Sequence, residues 1–193
     1  MKKIILIFTI ILTVKSKAQT PVIDLQTWNG DIISGMYIKD VNNVLNQFEG
    51  TWLYTNGTTS LKIVLVKKHM KLLATYYQDL IIGEYQYIEN GIEKFNSLAE
   101  LNTIFPNEYY HKIVGNHIET YPSPFDTTTP GEVRLKLMFK DNLGGTLLIR
   151  RKMVGLAPAI EILKVCRQTG LKYGEARIIP IVPGGVHVLL KQP

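Results

Sequence analysis

Apolar and polar residues alternate along most of this chain with a period of two. At that spacing the successive side chains of a strand point to opposite faces. Leu61, Ile63 and Leu65 alternate with Lys62, Val64 and Val66, and Val133, Leu135, Leu137 and Phe139 alternate with Arg134, Lys136, Met138 and Lys140. Further strands are predicted at 52–55, 72–77, 81–88, 92–95, 111–121, 146–152, 176–182 and 186–191. Asn56-Gly57 and Asn90-Gly91 sit between such runs, where Asn-Gly supplies the positive φ angles of a tight hairpin turn.

Two stretches read as short helices. Over 40–50, Asp40 stands as a cap, Val41, Val44, Leu45 and Phe48 recur at three- and four-residue steps, and Gly50 ends the run. Near 97–104, Ser97-Leu98-Ala99-Glu100 has the capping-box pattern ahead of Pro106. Residues 19–39 mix Pro, Gly and isolated apolar residues, which predicts an extended N-terminal segment. Over 155–175 periodicity leaves two readings open: a helix with Pro158 near its start and Gly170 at its end, or a strand. The mature part reads as one domain over 40–193, mainly β and antiparallel.

The segment Phe48-Glu49-Gly50-Thr51-Trp52-Leu53-Tyr54 resembles the opening motif of lipocalin-like (calycin-like) and fatty-acid-binding barrels. The resemblance implies an antiparallel β-barrel entered through a short helix and Gly-x-Trp, with the tryptophan closing the barrel floor. It also implies a basic residue late in the chain packed across that ring, for which Arg150, Arg151 and Lys191 are candidates. More narrowly, Ala18-Gln19-Thr20, the run from Tyr37 to Asn43 and the closing Val-Leu-Leu-Lys-Gln resemble a group of uncharacterised small exported bacterial proteins. That likeness implies a fold and an export route but no activity. No second lipocalin signature of the Thr-Asp-Tyr type is present.

Hydropathy at the start of the chain changes the picture. Lys2 and Lys3 precede an apolar run over 4–14, and Ser16-Lys17-Ala18 supplies small residues before a cut at Gln19, the build of a secretory signal peptide over 1–18. About eleven residues are too few to cross roughly 30 Å of hydrocarbon. Four of the 22 Lys+Arg lie in this leader and none of the 16 Asp+Glu does, leaving 18 against 16, a formal +2. The sequence pI near 9.3 is therefore largely a property of the leader and argues for no nucleic acid or other polyanion. The single cysteine, Cys166, excludes an intrachain disulfide and lies too far from the cut to carry a lipid. The expectation is an exported protein, periplasmic or secreted, without a lipid anchor and without an integral membrane segment once the leader is gone.

Candidate chemistry is sparse. Tyr54, Tyr76, Tyr85 and Tyr87 fall on predicted barrel strands and are the candidate contacts for a small apolar ligand, since barrels of about eight strands can hold one. His117 and Glu119 share a strand face, but His111 would lie roughly 20 Å from His117 at about 3.3 Å per residue, too far to share a zinc ion. No metal, cofactor or catalytic residue is expected. Cys166 has no histidine partner in its signature, and there is no Gly-x-Ser-x-Gly elbow or phosphate loop. Glu84, Glu89 and Glu93 flank a hairpin and read as a solvated face. Arg134, Lys136, Lys140, Arg150, Arg151 and Lys152 read as the polar outer face of a hairpin, where lysines also discourage aggregation. These features predict a non-enzymatic exported protein that binds a small apolar ligand inside a barrel. The alternative is a secreted or envelope interaction module with a packed barrel and working loops such as 121–131.

Overall fold

The computed structural model describes residues 20–119, 131–167 and 178–193. Residues 1–19, 120–130 and 168–177 lie outside the described residues, and with them the leader expected over 1–18 and most of the stretch 121–131 expected as a working loop. The molecule is mainly β. Its strands are β1 Val22–Asp24, β2 Tyr37–Lys39, β3 Gly50–Asn56, β4 Thr59–Leu73, β5 Tyr76–Glu89, β6 Ile92–Asn96, β7 Ile113–Glu119, β8 Arg134–Phe139, β9 Gly145–Val154, β10 Ala157–Cys166 and β11 Gly185–Lys191. Among the described residues no helix is long and apolar enough to cross a membrane.

Alternation becomes burial where it was strongest: Leu61, Ile63 and Leu65 on β4 and Leu135, Leu137 and Phe139 on β8 are all buried. Both Asn-Gly hairpins form. In the β5–β6 turn Asn90 and Gly91 have φ of 52° and 77°, the two left-handed residues of a tight hairpin. In the β3–β4 turn only Gly57 is left-handed, at 58°.

Hydrogen bonding orders the strands β5-β4-β3-β11-β10-β9-β8-β7, and β7 pairs in turn with β5, through Ile81–Gly115, Ile82–Val114 and Gly83–Ile113. One edge of β5 thus serves three strands in succession: β2 at Tyr77 and Gln78, β7 at 81–83 and β6 at 86–89. Gly83 is what lets β4 and β7 approach together, because a Cβ there would stand 2.6 Å from the Val64 carbonyl oxygen and 2.7 Å from Leu65 Cδ2. The chain start adds two short parallel strands, β1 on β2 and β2 on β5.

One main core runs through the molecule, from Leu45, Phe48 and Trp52 through Ile63, Tyr85, Leu137 and Ile149 to Ile160, Ile162 and Leu189. A smaller cluster, Leu80, Ile82 and Val114 with Val66, Leu101 and Tyr109 against it, comes from the opposite side-chain parity of β5 and β7. The segment 97–112 therefore covers the back of β5.

Several local expectations are corrected. The helix expected over 40–50 is a capped loop ending in one 3-10 turn, Asn46–Phe48. Asp40 does cap, accepting from the amides of Val44 at 2.8 Å and Leu45 at 2.9 Å, but Asn43 sits at φ 55°, which no helix accommodates. The helix expected near 97–104 is the 3-10 turn Leu98–Asn102; Ser97 Oγ bonds the backbone amide and carbonyl of Tyr85 at 3.3 Å instead of capping. The strand expected at 72–77 is split: Leu72 and Leu73 end β4, Tyr76 and Tyr77 begin β5, and the hairpin turns between them with Ala74 at φ 50°. The described end of the 176–182 strand, 178–182, is irregular. Within 155–175, residues 157–166 are the strand β10, because β9 and β11 both pair with it and bury Ile160 and Ile162 on one face.

Candidate functional site

The four candidate tyrosines pack on the main core. Tyr85 is fully buried, with ring centroids 4.6 Å from Phe95 and 4.7 Å from Phe139, and its hydroxyl has no hydrogen-bond partner among the described residues. Burial raises its pKa above the ordinary tyrosine range, and the Asp141 and Glu84 carboxylates add to the shift. Tyr54 meets His187 edge to face at 5.0 Å. Tyr87 is buried and Tyr76 half-buried, and burial raises the pKa of both hydroxyls.

The Gly-x-Trp corner has its basic partners. Trp52 donates from Nε1 to the Phe48 carbonyl at 2.8 Å, while Arg151 Cζ lies 5.1 Å and Lys191 Nζ 5.5 Å from the ring centroid. The third candidate, Arg150, has the opposite parity: it pairs with Glu161 and lies 3.6 Å from Glu132. The expected basic outer face is thus divided. Arg151 points inward, Arg150 and Lys152 share Glu161, and Arg134 stands beside Arg150 across the β8–β9 pair. For Glu161 burial works upward, but hydrogen bonds from Lys152 and Arg150 outweigh it and hold its pKa below the ordinary carboxylate value.

Glu84 is not solvated as its hairpin position suggested. It is 0% exposed and its Oε1 lies 2.8 Å from Nδ1 of His111, itself 1% exposed. His111 Nε2 is 3.5 Å from Glu108, which Lys71 also holds at 2.7 Å. The partners of His111 are therefore these carboxylates, whereas His117 stands on the outer face of β7. A second buried ion pair joins Lys164 Nζ to Asp141 at 2.7 Å, with the Val182 carbonyl and Cys166 Sγ (3.4 Å) as further acceptors.

A cleft of about 680 Å³ lies over the outer face of β7 to β10. Register builds it: Val114 pairs with Met138, Met138 with Thr146, and Thr146 with Val165, so one row of side chains crosses four strands. His117, Lys136, Lys140 and Arg167 stand around this row, and Tyr109 and Cys166 also line the cleft. No acidic side chain is among the described lining residues; Lys136 lies 4.0 Å from Glu119, a loose ion pair. Burial, then the nearby Lys112 ammonium, lower the pKa of Lys140, with Glu84 opposing them. None of the four candidate tyrosines lines the cleft. Lys136, Met138 and Lys140 were legible as one strand face, but nothing in the spacing of Val114, Thr146, Val165 and Arg167 announced them as neighbours.

A family of unknown function, DUF6705, matches the chain over residues 1–162. The chain belongs to that family. No curated protein and no solved structure matches it. In this DUF6705 chain the matched stretch takes in Trp52, all four candidate tyrosines, the Glu84–His111 pair and three walls of the cleft. Lys191, over the tryptophan ring, and Val165 to Arg167, the fourth wall, follow it.

Proposed function

We propose that this chain is an exported, non-enzymatic interaction protein: a lipocalin-like barrel filled by its own side chains, with its binding surface outside. The barrel reading is supported by the return of β7 to β5, and its lipocalin-like character by Trp52 between the Phe48 carbonyl and the Arg151 and Lys191 side chains. The single observation that carries the filled interior is the aromatic packing, in which Tyr85 spends its ring on Phe95 and Phe139 and Tyr54 spends its ring on His187. A ligand at these tyrosines would have to displace those contacts. Export, to the periplasm or the medium, rests on the leader pattern over 1–18. The non-enzymatic reading is supported by the engagement of His111 and Lys164 in buried structural pairs.

One observation favours the second reading, a small apolar ligand inside the barrel: the Tyr85 hydroxyl is fully buried without a partner among the described residues, and such a group calls for an ordered water or the polar end of a ligand. Native mass spectrometry of protein recovered from outside the producing cytoplasm separates the two. The expected species is the polypeptide beginning at Gln19 with no adduct held in its interior. An apolar adduct retained in Met138→Gln but lost in the interior variant Ile63→Phe would overturn the filled interior, and retention of the full chain in the cytoplasm would overturn export.

A further inference from the structure

From the cleft over β7 to β10 we infer that the protein binds a small amphiphilic anion there, one carboxylate or phosphate head on an apolar body. This rests on the reading that binding is external. The floor is apolar and open: Met138 is 44% and Val165 48% exposed, side by side with Thr146 and Val114 in one cross-strand row. Isolated exposed apolar residues need no explanation, but a contiguous row at the bottom of a concavity marks a contact surface. At about 680 Å³ the cleft falls within the usual range for small-molecule sites, roughly 300–1,000 Å³.

The charge around that floor has one sign. Lys136, Lys140 and Arg167 line the cleft and no described lining residue is acidic. Lys140 forms no ion pair among the described residues, although it is half-buried and its backbone amide is tied to the Lys112 carbonyl at 2.8 Å, which brings two lysines together. Lys112 has its own carboxylate, Glu100 at 3.3 Å, and Lys140 is left with only the field of the buried Glu84, which forms no ion pair with it among the described residues. The depressed pKa of Lys140 is the mark of that arrangement: the site costs the folded chain something that an incoming anion would return. The same geometry limits the partner. Three cations around one apolar row suit a single anionic head, and a formal mature charge of only +2 gives no extended field for a polyanion. A bare phosphate would leave the floor wet, and an uncharged chain would leave Lys140 unpaired.

Calorimetric titration of the exported protein tests this with four probes below their micellar concentrations: dodecyl phosphate, dodecanoate, uncharged dodecyl maltoside and inorganic phosphate. The expected result is one-to-one binding of the first two, with the last two at least about tenfold weaker, and about tenfold weaker binding of dodecyl phosphate by Lys140→Met and by Met138→Gln. Circular dichroism of both variants should match the parent, since each side chain is on the outer face. Inorganic phosphate or dodecyl maltoside binding as tightly as dodecyl phosphate would overturn the inference, as would unchanged affinity in Lys140→Met. Silence from all four probes would overturn it while leaving a filled, externally binding module in place. Binding abolished only by Ile63→Phe would overturn the external reading itself.

Discussion

Gly50 stands two residues before Trp52 with φ 129°, and a Cβ on it would come within 3.0 Å of Lys191 Cε. The glycine of Gly-x-Trp therefore does two things at once. It makes a bend that L side chains resist, and it leaves room for the lysine that crosses the tryptophan ring. Gly50→Ala should cost about 2 kcal/mol, strain and displacement together, and lower the melting temperature by roughly 4–8 °C. Adding Lys191→Ala should recover the steric part but not the backbone part; no recovery at all would show the lysine contact to be irrelevant. Ala74 presents the converse case. It occupies φ 50° in the β4–β5 turn with a Cβ that this conformation penalises by about 1–2 kcal/mol. Ala74→Gly should stabilise the protein by about 0.5 kcal/mol once the greater chain entropy of glycine is set against that relief, measured by chemical denaturation.

Among the elements, 97–112 is the one whose sequence reading was least like its structure. Ser97 and Glu100 spelled a capping box, yet the serine serves Tyr85 on β5 and the segment lies as 3-10 turns over the back of that strand. The reason is tertiary. Leu101 and Tyr109 cover Leu80 and Ile82, and His111 reaches the buried Glu84, contacts with partners some 20 to 30 residues away that no local pattern records. Hairpins were legible for the opposite reason, because turn chemistry at Asn90-Gly91 and alternation on β4 are local. His111→Leu should cost about 3 kcal/mol or more, since it leaves the Glu84 carboxylate buried without its partner. The double variant with Glu84→Leu should cost less than the sum of the two single changes. Strict additivity in that denaturation cycle would mean the pair does not hold the segment down.

At the scale of the molecule, the sequence conveyed a mainly β chain and, through the Gly-x-Trp resemblance, the expectation of a barrel, but neither that β7 would be the strand returning to β5 nor the cleft. Both depend on register between distant strands: Val114, Met138, Thr146 and Val165 become neighbours only once three pairings are fixed. Contacts between distant segments also fix how the fold answers pH. Asp79 accepts from the Tyr37 hydroxyl at 2.6 Å and the amides of Met70 and Asp40, bonds that outweigh its burial and hold its pKa below the ordinary 3.8, and Glu161 is held below 4.5 by Lys152 and Arg150. Burial, with the nearby Lys164 charge, lowers His187 below 6.5, against the Pro183 carbonyl. All three groups bind protons more readily in the unfolded chain, so each favours unfolding as pH falls through the interval below its ordinary value. His187 should act first, below about pH 6.5, then Glu161 and then Asp79. At the alkaline end the sign reverses for the tyrosines: burial raises Tyr37 and Tyr85, so the unfolded chain loses their protons first, near pH 10, and stability falls above that value. Melting temperature against pH should form a plateau between about pH 7 and 10 with losses on both sides. Glu161→Gln should flatten the segment of the acid limb below pH 4.5 and leave the fall below pH 6.5 intact, whereas a melting temperature constant from pH 7 to pH 3 would contradict the assignment of these groups.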